Sequence, residues 1–229
     1  GRTAKNILEL SRKSIAKNLN ATAQEIIFTS CGTEANNWIL RSAVKDLQVK
    51  RIITSKIEHH AVLYTALVLE KEYDIQIDYV NVKPNGEIDI THLVELLSQE
   101  KKTLVSLMHV NNEIGTVLDL ERIGRICQEH NTLFHSDTVQ SIGKTPIDLE
   151  KLSVDFIVAS AHKFHGPKGT GFAFIRKNSG LQPLFFGGEQ EKGLRAGTEA
   201  LHQIAGMAKA LKLSYSNLET EQKHILELR

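Results

Sequence analysis

Two cysteines in 229 residues, Cys31 and Cys127, are too few for a disulfide framework, and without an export signal they read as reduced thiols. Charge of one sign is lacking as well. The 28 basic and 27 acidic residues leave a formal net charge of +1, which argues against a nucleic-acid or membrane surface on electrostatic grounds. No apolar run approaches the roughly 18 residues that span a bilayer, and no signal peptide opens the chain. Repeats, low-complexity tracts and interior linkers are absent. The run Gly166-Pro167-Lys168-Gly169 has the wrong spacing for a nucleotide-binding P-loop, and no H-E-x-x-H pattern supports a metal hydrolase despite the pairs His59/His60 and His162/His165. What is present is ordinary for a globular protein: 41% hydrophobic and 24% charged residues, in a chain long enough to bury a sizeable core. The chain begins at Gly1 inside a helical pattern and closes on another, so both ends read as cuts in a longer protein.

Apolar, β-rich runs alternate with helical patterns almost throughout. Strands are expected at 25–30, 51–55, 75–82, 103–110, 132–137, 154–160 and 171–177. Helices are expected at 4–19, 34–47, 60–73, 91–99 with Thr91 as its N-cap, 119–130 and 213–229. Strands separated by helices of 10–15 residues imply parallel βαβ units, hence a three-layer α/β/α architecture on a mostly parallel sheet. The short link between 154–160 and 171–177 allows one antiparallel strand.

Ligands of such sheets bind beyond the carboxyl ends of strands, where helix N-termini also point. Five strand ends carry unusual polar residues. In "SCGTE", Ser30, Gly32 and Thr33 either cradle a phosphate or simply cap a helix. In "SKIEHH", His59 either stacks on a flat ligand or starts a helix as an exposed polar residue. Asn112, in "HVNNEIG", is a donor to a substrate or half of an Asn-pair turn before Gly115. Asp137, in "HSDTVQS", can hold a protonated ring nitrogen or cap a turn, and Gln140 follows it at a distance suited to a ring substituent or to solvent. Lys163, in "SAHKFHGPKG", is a solvated loop lysine or an amine held for a carbonyl. Each signal is weak alone. Together and in this order they make up what a pyridoxal phosphate site requires.

The stretches "HVNNEIGTV", "HSDTVQSIGKTPIDL", "SAHKFHGPKGTGF" and "GGEQEKGLRAGTE" closely resemble the class V, fold-type I pyridoxal phosphate enzymes, and among them most nearly the cysteine desulfurases of iron–sulfur cluster assembly. The resemblance covers essentially the whole chain. It implies that Lys163 forms the internal aldimine, that Asp137 pairs with the pyridine nitrogen, and that Gln140 and Asn112 face the phenolic oxygen. It further implies that His59 stacks on the ring and assists proton transfer, and that Gly32, Thr33, Ser160 and His162 hold the phosphate. Thr198, in "RAGT", resembles the threonine that reaches the phosphate of the partner subunit, which implies a homodimer with shared sites.

The implied substrate is L-cysteine, converted to alanine and a persulfide, with a scaffold protein as sulfur acceptor and a cytoplasmic location. In the family, the sulfur-accepting cysteine and the arginine that grips the substrate carboxylate lie beyond "RAGT", and the chain stops before either. Cys31 and Cys127 match neither position and read as structural. The expected organisation is therefore a cofactor-binding large domain over residues 1–205, lacking its first part, and the start of a helix toward a small domain over 206–229. Another class V aminotransferase, a selenocysteine lyase, a kynureninase-like enzyme, or a non-catalytic scaffold of the same fold are the alternatives left standing.

Overall fold

A computed structural model describes residues 1–228. Seven helices are present among them: α1 (Arg2–Asn18), α2 (Gly32–Lys45), α3 (His60–Tyr73), α4 (Ile90–Leu97), α5 (Leu120–Glu129), α6 (Leu201–Ser216) and α7 (Leu218–Glu227). Seven strands form one sheet: β1 (Ile26–Thr29), β2 (Arg51–Thr54), β3 (Gln76–Tyr79), β4 (Thr103–Ser106), β5 (Leu133–Asp137), β6 (Phe156–Ser160) and β7 (Gly171–Ile175). The spatial order is β1-β7-β6-β5-β4-β2-β3. Pairings from β3 across to β6 are parallel, and β7 lies antiparallel to both β6 and β1. Two antiparallel steps restore the original direction, so β1 again runs with β6. The carboxyl ends of β1, β2, β4, β5 and β6 consequently share one edge of the sheet. The antiparallel strand allowed by the short 160–171 link is β7.

Helices cover both faces. One face holds Leu8, Ile15, Phe134, Phe164, Phe172 and Met207 among its buried residues, and the other is built on Trp38, Ile39, Val62, Leu69, Phe156 and Ile175. The apolar stripe of α1 packs on α6, so residues on both sides of position 205 contribute to one core. Strands buried on both faces read as continuous Ile, Phe and Val runs, which is the pattern a covered parallel sheet requires.

Three details depart from the sequence-based expectations. The N-cap of α4 is Asp89, whose carboxylate accepts from the backbone N–H groups of Thr91 and His92; Thr91 lies inside the helix. Regular β4 ends at Ser106, although Leu107 and His109 still donate to His135 and Asp137 carbonyls of β5 before the chain turns away. The helical pattern 213–229 is interrupted at Asn217, between α6 and α7.

One long-range contact organises the segment after β7. Glu191 accepts two bonds from the Arg12 guanidinium, each of 2.7 Å, and a third from the backbone N–H of Phe28 on edge strand β1. Arg12 also donates to the Ile26 carbonyl and lies 4.4 Å from the centre of the Phe28 ring. Both charged residues are buried, at 2% and 4% exposure, so each charge relies on the other for lost hydration. The pair holds Glu191 and Lys192 in the left-handed region, a conformation that side-chain-bearing residues rarely adopt without such restraint. Glu191→Ala, which strands the Arg12 charge, is expected to lower unfolding free energy by about 3–5 kcal/mol in urea denaturation, and Glu191→Gln by less. A change below about 1 kcal/mol for the alanine variant would show that the pair does not carry this weight.

Candidate functional site

The shared strand edge opens into a cleft of about 260 Å³. Its walls come from five separate strand ends, which is where a parallel sheet places ligands. The turn after β1 and the first turn of α2 bring Cys31, Gly32, Thr33 and Asn36. The turn after β2 brings His59, and the segment after β4 brings Met108 and Asn112. The end of β5 and its following turn bring Asp137, Val139 and Gln140, while β6 and the 3-10 turn Ala161–Phe164 bring Ser160, His162 and Lys163.

Asp137 is a buried acid in the wall of this cleft, 4% exposed. Its Oδ1 accepts from the Val139 N–H at 2.9 Å and its Oδ2 from the Asn36 side-chain amide at 2.8 Å. The Val139 contact is the turn-capping bond expected of an Asp at this place, so the residue caps a turn and faces the cleft at once. Burial pushes the Asp137 carboxyl up. The two hydrogen bonds and the neighbouring His59 act in the opposite direction without cancelling burial. No salt bridge among the described residues involves Asp137.

His59 is the N-cap of α3, with Nδ1 accepting from the Ala61 N–H at 3.1 Å. In the neutral ring the proton therefore sits on Nε2. The two asparagines of "VNNE" divide the work. Asn111 makes the turn, accepting from the Glu113 and Ile114 N–H groups, while exposed Asn112 lines the cleft. Gln140 is tethered by Lys144, whose ammonium donates to its Oε1 at 3.3 Å.

At the other end, α2 points its N-terminus into the cleft with Cys31 as its N-cap. Thr33, an alternative cap in the sequence, lies within the first turn and is exposed. Gly32 is required here, because a Cβ would come within 2.6 Å of the Val139 side chain. Ser160 shares a 3.1 Å hydrogen bond with His162 Nδ1. Burial and the neighbouring charges of Lys163 and Lys168 hold the His162 imidazole below its usual range. Lys163 rides on a turn locked between buried Ala161 and Phe164 and closed by His165 in the left-handed region. Gly171 allows the close packing beneath that turn, since a Cβ there would meet the Ala159 carbonyl at 2.4 Å.

Nine of the eleven sequence-predicted residues thus meet in one cleft; Ser30 does not line it, and its backbone N–H donates to Glu34 instead. Thr198 does not join them; it is exposed and lines a separate hollow with Arg12, Glu191 and Leu201. Its loop is held by Arg195, which makes two hydrogen bonds to Glu34 in the first turn of α2. Asn36 went unrecognised in the sequence, although its place four residues after Gly32 puts both on one face of α2. Buried Glu58, one residue before His59, carries no signal in the local sequence.

The residues present fit pyridoxal phosphate. A glycine-lined helix N-terminus and a hydroxyl suit a phosphate, a buried carboxylate with no cation suits a protonated ring nitrogen, and an amine suits an aldehyde. Asn36 Oδ1 is buried and has no hydrogen-bond partner, in the same wall as Asp137.

Comparison with known proteins agrees with this chemistry. The family model described as Aminotransferase class-V matches residues 1–229. A cysteine desulfurase IscS of Dictyoglomus turgidum is 42% identical over 100% of this chain and 58% of its own length. The cysteine desulfurase IscS of Methanosarcina thermophila is likewise 42% identical, covering 100% of this chain and 57% of the relative. The chain thus spans less than two thirds of the length of these curated relatives. Among solved structures, a NifS-like protein superposes with a TM-score of 0.96 at 43% identity, over 100% of this chain and 63% of that one. A structure described as SspA in complex with cysteine gives a TM-score of 0.88 at 37% identity, over 99% and 67%.

The raised Asp137 carboxyl has a measurable consequence in the cofactor-free chain. Between its ordinary value of 3.8 and its higher folded value, the native state keeps a proton that the unfolded state has released, so stability falls as pH rises through that window. Asp137→Asn is expected to raise the urea midpoint at pH 7 and to lose this advantage below the ordinary value. An asparagine variant less stable than the parent at neutral pH would contradict the assignment.

Proposed function

This chain belongs to the class V aminotransferase family, and on that premise we propose that it forms the cofactor-binding platform of a pyridoxal phosphate-dependent cysteine desulfurase. The observation that carries the proposal is the placement of Lys163 and Asp137 in the walls of one cleft, with a helix N-terminus opening into it. Enzymes of this family depend on pyridoxal phosphate.

When bound, that cofactor supplies an electron-withdrawing ring that accepts the electron pair freed at the substrate's α-carbon. The protein's own residues do the rest. Asp137 keeps a proton on the ring nitrogen, because a negative carboxylate in a poorly solvated wall favours a cation beside it. Asn36 holds that carboxylate in place. Lys163 is the amine that would hold the cofactor's aldehyde carbon, and its free Nζ would carry protons. His59, in the cleft wall, would stack on the ring and assist proton transfer. Asn112 and Gln140 offer amide donors to the ring oxygen, and the N–H groups of Gly32 and Thr33, with Ser160 and His162, hold the phosphate.

L-cysteine as the substrate is supported by relatives named cysteine desulfurase and by the cysteine complex of a structural neighbour. Of the two thiols here, Cys127 is buried in α5 with its pKa pushed up to about 12, which keeps it from receiving sulfur. Cys31 lies at the phosphate end of the cleft. The same proposal takes residues 1–205 as the large domain and 206–229 as the lead into a second one. It includes a homodimer in which Thr198 serves the partner's site, a scaffold acceptor in iron–sulfur assembly, and a cytoplasmic setting. Among the described residues no helix is long and apolar enough to cross a membrane.

Borohydride reduction of the chain incubated with pyridoxal phosphate, followed by peptide mass mapping, tests the proposal. The pyridoxyl adduct is expected on Lys163 and is lost in Lys163→Ala. An adduct spread over surface lysines, or one that persists undiminished in the variant, would overturn it.

A further inference from the structure

Glu58 is a buried acid that the proposed chemistry leaves unused. It is 6% exposed and immediately precedes His59. Its Oε1 accepts from the Ser55 hydroxyl at 2.9 Å, within its own turn, and from the backbone N–H of Met108 at 3.0 Å, across the sheet edge. Met108 itself lines the cleft. A second strap lies beside the first: the Asn111 side-chain amide donates to the Ile57 carbonyl at 2.8 Å. The turn after β2 and the segment after β4 are thereby tied together at two points. One presents His59 to the cleft and the other presents Met108 and Asn112.

We propose that Glu58 is a positioning residue, a clamp that fixes the His59 turn against the Met108–Asn112 segment and so sets the width of the ring end of the cleft. β2 and β4 are paired neighbours, but their regular register ends at Ile53 and Val105, before either functional turn. Beyond that point backbone pairing no longer sets the spacing between the two turns, and the Glu58 carboxyl bridges the gap.

Burial pushes that carboxyl up to about 8; its two hydrogen bonds act downward and the Asp137 charge adds to the rise. Near neutral pH the clamp is therefore an uncharged acid, and its free oxygen, Oε2, is buried without a partner. An uncharged clamp places no second carboxylate charge beside Asp137. A second carboxylate there would repel it and disturb the charge that the ring nitrogen meets.

The inference rests on the proposed cofactor site, and two measurements separate the fates of the two ideas. Glu58→Gln keeps an uncharged acceptor at the same reach, while Glu58→Ala removes it. In the cofactor-free chain, amide exchange of the Met108 N–H is expected to speed by about tenfold or more in Glu58→Ala and to stay near the parent rate in Glu58→Gln. Pyridoxal phosphate affinity at pH 7 is expected to weaken by about tenfold in the alanine variant and to be restored by glutamine. Should the alanine variant fail to fold, Glu58→Asp, too short to span both donors, takes its place with the same expectations. Met108 exchange unchanged by truncation, or a glutamine variant as impaired as the truncated one, overturns the clamp. A parent chain that binds no pyridoxal phosphate overturns the functional proposal instead, and the exchange measurement still decides the clamp.

Discussion

A carboxylate buried without a cation is the constraint around which this molecule is arranged. Asp137 ends a central strand, beneath a cleft, with two neutral donors and a nearby imidazole as its surroundings. Such a group is unfavourable for the fold taken alone, since lost hydration is only partly replaced. Proteins retain groups of this kind where a ligand completes them, and the protonated ring nitrogen of the proposed cofactor would do so here. The neighbouring features make sense in that light. Asn36 reaches from α2 to hold one carboxylate oxygen, Val139 N–H holds the other, and Gly32 is bare so that α2 can approach Val139 closely enough for Asn36 to reach.

The remaining walls are fixed by contacts that lie outside regular secondary structure. Lys163 rides on a short turn pinned by Ala161 and Phe164, so its amine is delivered from a rigid base despite belonging to a loop. The "RAGT" segment is held from two sides, by Glu34 on Arg195 and by Arg12 on Glu191. These are charge pairs with good bidentate geometry, the type most able to offset their own desolvation. Rigid walls matter because the proposed chemistry depends on holding donors where charge develops, and loose walls would surrender that advantage.

Much of this was legible in the residues themselves. Helix α3 spans 60–73 as its pattern predicts, and the β-rich runs at 25–30, 132–137, 154–160 and 171–177 all contain strands. Their apolar character on both faces announced a covered sheet, and the polar residues just after each strand announced the cleft. The failures are equally physical. Thr91 looked like a cap because threonine is one by preference, but Asp89 reaches two amide groups and wins the position. The Arg12–Glu191 pair joins residues 179 apart, and Glu58 meets Met108 only because β2 and β4 are neighbours in space. Contacts of that kind follow from strand order, which no local pattern encodes. Asn36 is different: its spacing from Gly32 was in plain view, and only its polarity in a buried stretch marked it out.

The proposed function stands on the charge state that Asp137 would impose on a ring bound beside it. Nitrogen-15 magnetic resonance of the bound cofactor, labelled at its pyridine nitrogen, reports that state directly. A protonated ring nitrogen in the parent chain and an unprotonated one in Asp137→Ala is the result the account requires. An unprotonated nitrogen in the parent, or the same signal in both proteins, would contradict it.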